Sequence, residues 1–132
     1  MSYPPLGTTL RRLALYWLPC AAYMAAIFWG SSRSHVPGPD ISGFDKGEHL
    51  VAYAVLGWLL WRAAVTSSAH SVAALAPLWA VLIGTAYGVS DEIHQLGVPG
   101  RSCDVADLAA DVLGLLVVQG AILLRGSRTP TE

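Results

Sequence analysis

The sequence predicts an all-α membrane protein, a bundle of four transmembrane helices joined by short loops. Hydrophobic residues make up 54% of the 132 residues and charged residues only 13%, whereas a soluble domain carries about 25% charged residues. A soluble chain of this size exposes much of its surface and needs more charge than this to cover it. Apolar runs long enough to cross a hydrocarbon core of roughly 30 Å recur along the chain. We therefore expect one domain, residues 1–132, embedded in the cell membrane as a multi-pass protein with the lipid bilayer as its surroundings.

The first predicted helix covers residues 13–30, a run of uncharged residues from Leu13 to Gly30. Arg11 and Arg12 precede it, and two basic residues before an apolar run are also how a secretory signal peptide begins. The run is longer, however, than the usual signal-peptide core of about 7–15 residues. We therefore predict a retained transmembrane helix.

Three further helices are predicted at about 45–65, 72–95 and 103–124. The second follows a loop that contains Pro37 and Pro39, and the third follows a short polar turn. A tight loop with Gly97, Pro99 and Gly100 separates the third helix from the fourth. Four apolar helices with short connections are typical of an antiparallel bundle.

Basic residues predict the orientation of the bundle. More of them fall on the side that holds both chain termini than on the other side, which places both termini in the cytoplasm by the positive-inside rule. The cytoplasmic group is Arg11, Arg12, Arg62, Arg125 and Arg128, and the outer group is Arg33, Lys46 and Arg101.

Acidic residues are far less evenly divided than basic ones. All but Glu132 fall at or near the outer side, where they outnumber the basic residues by five. Carboxylates at membrane depth are expensive and commonly mark a functional site, so we predict a polar site on the extracytoplasmic side. The outer acids are Asp40, Asp45, Glu48, Asp91, Glu92, Asp104, Asp107 and Asp111.

Helical spacing places several of these side chains on one face of each of three helices. Residues three, four or seven positions apart share a face of a helix, and Asp111 lies about 10 Å below Asp104 along the axis of the fourth helix. We expect the three faces to meet in one outward-facing cavity, with His94 at its rim. The faces consist of Asp45, His49 and Tyr53 on the second helix, Tyr87, Asp91 and Gln95 on the third, and Asp104, Asp107 and Asp111 on the fourth.

Three interpretations of this cluster remain open. In the first, Lys46 and Arg101 neutralise carboxylates in a structural ion-pair network. In the second, the cavity binds a polar or lipid-linked headgroup, and Arg101 is a bidentate clamp on its phosphate or carboxylate. The polar wall of that cavity is Asp45, His49, Asp91, Glu92, Gln95 and Asp107.

In the third interpretation, the cluster holds a divalent metal ion that polarises a lipid-linked phosphate, as in metal-dependent enzymes. The excess of acids favours a bound cation over a plain ion-pair network. The sequence names no reaction, so whether the chain is an enzyme stays open, as do its oligomeric state and any cofactor. No basic stretch supports nucleic-acid binding. The predicted metal ligands are Asp91, Glu92, Asp107 and His49.

Four motif blocks resemble the VanZ-like family of small integral membrane proteins. The likeness extends from about Phe28 to Gly114, with Ser31-Ser32 near its start. Asp104 is not part of the family pattern, and many members carry asparagine at the position of Asp111. The blocks are Asp45-Lys46-x-x-His49-x-x-x-Tyr53-x-x-Leu56-Gly57, Tyr87-Gly88-x-x-Asp91-Glu92-x-His94-Gln95, Pro99-Gly100-Arg101 and Asp107-x-x-x-Asp111-x-x-Gly114.

The resemblance implies a small multi-helix membrane protein associated with the cell envelope, and it names no biochemical activity. The family is named for a protein linked to resistance to the glycopeptide antibiotic teicoplanin, so a link to that resistance is an expectation for this chain. An extracytoplasmic site would suit such a role, and it agrees with the orientation predicted from the basic residues.

Overall fold

The computed structural model describes residues 10–34, 43–66 and 73–126. These residues form four helices and no strand: α1 at Leu10–Ser31, α2 at Phe44–Thr66, α3 at Ala76–Gln95 and α4 at Val105–Gly126. The predicted all-α, four-helix fold is confirmed. The predicted loop at Pro37 and Pro39, the predicted start of the third helix at residue 72, and the charged residues Asp40, Arg128 and Glu132 lie outside the described residues.

Three of the four helices, α1, α2 and α4, are long and apolar enough to cross a membrane. Helix α3 has 20 residues and is the most polar at its C-terminal end, where Asp91, Glu92, His94 and Gln95 fall in its last two turns. This helix begins at Ala76, with Pro77 in its first turn. Proline suits that position because its missing N–H would have no partner in the helix anyway.

Helix α1 contains one widened turn, a π-helical segment at Leu13–Trp17. Pro19 follows two residues later. A proline inside a helix removes one backbone hydrogen bond and crowds the carbonyl group four residues earlier, which here belongs to Leu15. The widened turn accommodates that crowding, so α1 remains continuous through Pro19.

Helix α2 is the centre of the bundle. It packs against α4 over the longest interface, and it also contacts α3 and α1. The buried core contains Tyr53, Leu56 and Leu60 from α2 together with Leu115 from α4 and Cys20 from α1. Only 6% of the most apolar 18-residue stretch of α1 is buried, compared with 33% of the corresponding stretch of α2. Helix α1 therefore lies at the edge of the bundle and presents most of its surface to lipid.

Close contact between α2 and α4 depends on Gly114. A Cβ atom at this position would collide with the backbone carbonyl oxygen of Leu50 and would lie 3.0 Å from the backbone nitrogen of Ala54. The missing side chain therefore lets the two helix backbones touch, as small residues do in membrane helix pairs. This contact lies beside His49 and one turn from Asp111, so it also sets the spacing of polar groups described below.

The four helices place their polar termini at one end of the bundle, which we call the polar end. Here α1 ends at Ser31, α2 begins at Phe44, α3 ends at Gln95 and α4 begins at Val105. Hydrogen bonds cross between these termini, from Ser31 to Asp91 and from Lys46 to Asp104. Which side of the membrane the polar end faces stays a prediction.

Candidate functional site

Five polar side chains at the polar end are almost completely buried. The exposed fractions are 3% for Asp91, 2% for Glu92, 0% for Gln95, 6% for Asp107 and 0% for Asp111. The first three belong to the last two turns of α3, and the other two to the first two turns of α4. Burying this many carboxyl groups is costly unless each has compensating partners, so the partners decide what the site can do.

Lys46 neutralises one part of the cluster. Its ammonium nitrogen lies 3.1 Å from Asp45, 3.1 Å from Asp104 and 2.9 Å from Asp107. The Ala106 backbone N–H, which donates to Asp104 at 2.8 Å, and the Lys46 ammonium lower the pKa of the Asp104 carboxyl. This group of residues fits the ion-pair interpretation. Asp104 is a member of it although it falls outside the family pattern.

His49 joins α2 to α4 beneath that ion-pair group. Its Nδ1 atom lies 2.8 Å from Oδ1 of Asp111, and its Nε2 atom lies 4.0 Å from Oδ2 of Asp107. The second oxygen of Asp111, Oδ2, is buried without a hydrogen-bond partner. It sits against Gly88, where an added Cβ atom would come within 3.0 Å of it. Gly88 therefore makes room on α3 for the Asp111 carboxylate.

Asp91 is held by uncharged groups. The Ser31 hydroxyl donates to its Oδ1 atom at 2.6 Å, and the Gln95 amide donates to Oδ2 at 3.5 Å. Next to this pair, the Ser32 hydroxyl lies 3.0 Å from Nε2 of His94, and the Phe28 ring contacts the same imidazole at a tilt of 31°, with ring centroids 4.2 Å apart. His94 thus lies at the rim, whereas Ser31, which the sequence did not single out as a site residue, is a direct partner of a buried acid.

The loop between α3 and α4 positions Arg101. Its backbone N–H donates to the Val98 carbonyl at 3.1 Å, and Gly100 at the third position of this turn has φ of +80°. Proline at the second position and glycine with positive φ at the third are the features of a type II turn. The guanidinium then donates to Oε1 of Gln95 from Nε at 3.2 Å and from Nη2 at 2.8 Å.

The two tyrosines predicted as site residues, Tyr53 and Tyr87, differ in the hydrogen bonding of their hydroxyl groups. The Tyr87 hydroxyl donates to the Met24 backbone carbonyl at 2.6 Å, so it ties α3 to α1. The Tyr53 hydroxyl is buried and has no hydrogen-bond partner in the part of the chain described. The Tyr53 ring lies parallel to the His49 ring, with centroids 6.5 Å apart. Only Tyr53 therefore brings an unused polar group to the cluster.

The charges at the polar end do not balance locally. Among the described residues, no lysine or arginine lies within the 4.0 Å ion-pair distance of Asp91, Glu92 or Asp111. Glu92 accepts one hydrogen bond at 2.8 Å from the backbone N–H of Asp104, and its other oxygen is buried without a partner. Lysine therefore accounts for the outer carboxylates, whereas no lysine or arginine reaches the deeper ones and Asp111 has the His49 imidazole, at 2.8 Å, as its partner.

The structure brings the predicted metal ligands together in a different combination. His49 and Glu92 form a group with Asp111, in which one ligand atom from each residue lies within 4.8 Å of the others. Of the remaining predicted ligands, Asp107 is paired with Lys46, and Asp91 with Ser31 and Gln95. Helical spacing identified these residues except Glu92, which was one of the outer acids, but only the packing of α2, α3 and α4 could show which of them face one another.

Comparison with known families adds to this geometry. A family model described as VanZ/LLP1 matches residues 6–125, which is nearly the whole chain. Searches of curated proteins and of solved structures returned no match. The family match agrees with the motif blocks on α2, α3 and α4 and with helices apolar enough to span a membrane. This chain is therefore a membrane protein of the VanZ/LLP1 family.

Proposed function

We propose that this protein binds the polar headgroup of a lipid or lipid-linked molecule at the polar end of its bundle. The observation that carries the proposal is the state of Arg101, whose guanidinium is held by the neutral amide oxygen of Gln95 at 2.8 Å and 3.2 Å. Lys46, in contrast, is engaged by three carboxylates. Arg101 thus keeps its positive charge available for an anionic ligand.

The bonds that Arg101 makes suit a clamp for phosphate or carboxylate. A guanidinium carries five N–H donors in one plane, and the two bonds to Gln95 leave three of them for a ligand. Gln95 is completely buried, so it fixes the direction of the guanidinium before any ligand binds. Such preorganised bidentate contacts between arginine and an oxyanion are among the stronger polar interactions in proteins.

The acidic wall of the site complements the remainder of a polar headgroup. Hydroxyl and ammonium groups donate hydrogen bonds, and carboxylate oxygens are strong acceptors for them. A position of the site at the level of the lipid headgroups is supported by the length of α2 and α4, which is sufficient to span the hydrocarbon core. The wall comprises Asp45, His49, Asp91, Glu92, Gln95 and Asp107.

The test uses purified protein in nanodiscs, prepared in metal-free buffer. Nanodiscs with a polyprenyl phosphate or phosphatidylglycerol are compared with nanodiscs of zwitterionic lipid alone. We expect Arg101→Ala to weaken binding of the anionic lipid at least tenfold, and Arg101→Lys to restore only part of it because lysine cannot form the planar bidentate contact. Arg33→Ala is the matched control, since Arg33 lies over the Trp29 ring at 3.5 Å. Equal binding by wild type and Arg101→Ala would refute the proposal.

We further propose that the polar end faces the outside of the cell. The two cysteines provide a test without further substitution, because Cys103 is exposed at the polar end and Cys20 is buried. Partial loss of solvation and the nearby Glu92 carboxylate raise the pKa of the Cys103 thiol, so labelling should be done at mildly alkaline pH. A membrane-impermeant maleimide should label Cys103 in intact cells. Labelling that requires disrupted cells would place the polar end in the cytoplasm.

Two other candidate functions have specific support. Metal-dependent chemistry on a lipid-linked phosphate is favoured by the uncompensated buried carboxylates, and a structural ion-pair network is favoured by the three contacts of Lys46. The link to teicoplanin resistance follows from family membership, and it predicts a change in teicoplanin sensitivity when the chain is expressed or deleted. If the Arg101→Ala variant, expressed in a deletion strain, gave the same teicoplanin sensitivity as the wild-type protein, the phenotype would not depend on headgroup binding.

A further inference from the structure

We propose that His49, Glu92 and Asp111 form a binding site for a divalent transition-metal ion, with Zn²⁺ as the preferred ion. The three residues come from α2, α3 and α4, and one potential ligand atom of each lies within 4.8 Å of the other two. The site shares His49 and Glu92 with the proposed headgroup wall, but it needs neither Arg101 nor a lipid, so it goes beyond the headgroup proposal and does not rest on it.

Two unpartnered oxygens point to a missing ligand. Oε1 of Glu92 and Oδ2 of Asp111 are buried and accept no hydrogen bond among the described residues, although their residues are 2% and 0% exposed. A buried carboxylate oxygen without a donor costs a substantial desolvation penalty. A cation bound by these oxygens would remove that penalty and would break no hydrogen bond that either oxygen makes.

The local charge requires a positive partner in the same place. No lysine or arginine of the described chain lies within 4.0 Å of the Glu92 or Asp111 carboxylate, and Lys46 is engaged with Asp107 nearby. A buried negative charge is tolerated when it is paired or coordinates a metal. A divalent cation would therefore neutralise Glu92 and would add to the one contact that Asp111 makes, with His49.

The types of ligand select the ion. One imidazole nitrogen and two carboxylate oxygens make a mixed nitrogen and oxygen set, which suits Zn²⁺ or Mn²⁺, whereas Mg²⁺ and Ca²⁺ prefer oxygen alone. Three protein ligands leave a position open for water or an anion, as in catalytic zinc sites. In tetrahedral zinc sites the ligand atoms lie about 3.4 Å apart, so small side-chain rotations would complete the coordination.

The His49 ring is oriented by a carboxylate at Nδ1, which leaves Nε2 to bind the metal. Nδ1 has Asp111 at the hydrogen-bond distance of 2.8 Å, whereas the oxygen of Asp107 near Nε2 lies 4.0 Å away. Histidine ligands almost always donate their other N–H to a carboxylate, a backbone carbonyl or water, and this contact orients the ring. The unpartnered hydroxyl of Tyr53 lies on the ring that stacks over His49 and offers a further polar group at the same depth.

The test measures metal binding alone, with detergent-purified protein stripped by a chelator and no phosphate or anionic lipid present. We expect wild type to bind one Zn²⁺ per chain and to show a higher unfolding temperature with Zn²⁺. Glu92→Gln and Asp111→Asn should each weaken Zn²⁺ binding at least tenfold. Glu48→Gln is the matched control, since Glu48 is an exposed acid of the same end, and it should bind as wild type does.

Folding of the variants is checked in the metal-free state. Both substitutions keep the side-chain shape. Glu92→Gln removes a buried charge that no lysine or arginine reaches, so its metal-free unfolding temperature should equal or exceed that of wild type, whereas Asp111→Asn weakens the 2.8 Å contact with His49 and should lower it. If either variant fails to fold, His49→Gln and the stoichiometry of wild type still decide the matter. The proposal is overturned if wild type binds no Zn²⁺, if it responds to Mg²⁺ alone, or if Glu48→Gln loses binding as the site variants do.

The two proposals can fail separately. Arg101→Ala should keep its Zn²⁺ while it loses the anionic lipid. Absence of Zn²⁺ binding together with normal lipid binding would overturn the metal site alone. Zn²⁺ binding without any effect of Arg101→Ala on lipid binding would overturn only the headgroup proposal.

Discussion

Substitution of Gly114 by alanine tests how the bundle sets the geometry of its polar end. The added Cβ atom would collide with the Leu50 backbone carbonyl oxygen and lie 3.0 Å from the Ala54 nitrogen. Both obstacles are backbone atoms of α2, so no side-chain rotation relieves the collision, and α2 and α4 must move apart. Because Leu50 follows His49 and Asp111 is one turn before Gly114, this movement also lengthens the bond between His49 and Asp111, now 2.8 Å.

The expected loss of stability follows from two opposing effects. Forcing an extra methyl group into a packed interior costs about 1–3 kcal/mol, and the upper value applies where backbone atoms obstruct. Alanine favours the helix over glycine by about 1 kcal/mol. The net destabilisation of Gly114→Ala is then about 2 kcal/mol, which lowers the unfolding temperature by roughly 5 °C or more.

The assay is thermal unfolding of the purified protein in detergent, with Gly120→Ala as the matched control. Gly120 is on the same helix, but a Cβ atom there would meet nothing within 4 Å, so this variant should be as stable as wild type or more stable. The reasoning would be refuted if Gly114→Ala and Gly120→Ala had the same unfolding temperature.

Four further outcomes can be measured by the same assay. Tyr87→Phe should lose about 1 kcal/mol, because it removes the 2.6 Å bond to the Met24 carbonyl, and an unchanged stability would contradict that bond. Ser31→Ala should cost about 1–3 kcal/mol, since it removes the closest donor to buried Asp91; a loss no greater than that of Ser34→Ala would argue against it. Gln119→Leu should be nearly neutral, because removing the buried, unpartnered Oε1 offsets the loss of the 3.0 Å bond from Nε2 to the Gly57 carbonyl, and a large loss would contradict that balance. Asp104→Ala should lower the stability of the fold at neutral pH. Because the pKa of Asp104 is lowered in the folded protein, its contribution to stability is present above the unfolded pKa of about 3.9 and disappears as the pH falls through the folded pKa. A stability difference between wild type and Asp104→Ala that persisted in strong acid would contradict this.

Much of the architecture could be predicted from local patterns. Apolar runs of helical length, separated by short polar segments, predicted the four helices, and the motif blocks predicted the family that the VanZ/LLP1 match confirms. The helical spacing also placed His49, Asp91 and Asp111 on faces near one end of the bundle. These predictions succeed because helix period, length and hydropathy are properties of neighbouring residues.

The partners of the site residues could not be predicted in the same way. Arg101 was expected to meet a carboxylate or a ligand, yet it contacts Gln95. Asp91 and Asp107 were expected beside His49 and Glu92, whereas the acid whose ligand atom lies within 4.8 Å of theirs is Asp111. Spacing along one helix fixes which side chains share a face, but it does not fix how that helix is rotated and shifted against its neighbours.

The sequence by itself therefore determined that this chain is a helical membrane protein with its acids gathered at one end. The tertiary structure alone decided which acids Lys46 neutralises and which are left buried without a cation. The physical reason is the close approach of α2 and α4 at Gly114, together with the space that Gly88 leaves on α3. These contacts set the relative height of the helices, and a shift of one turn would give every carboxylate a different partner.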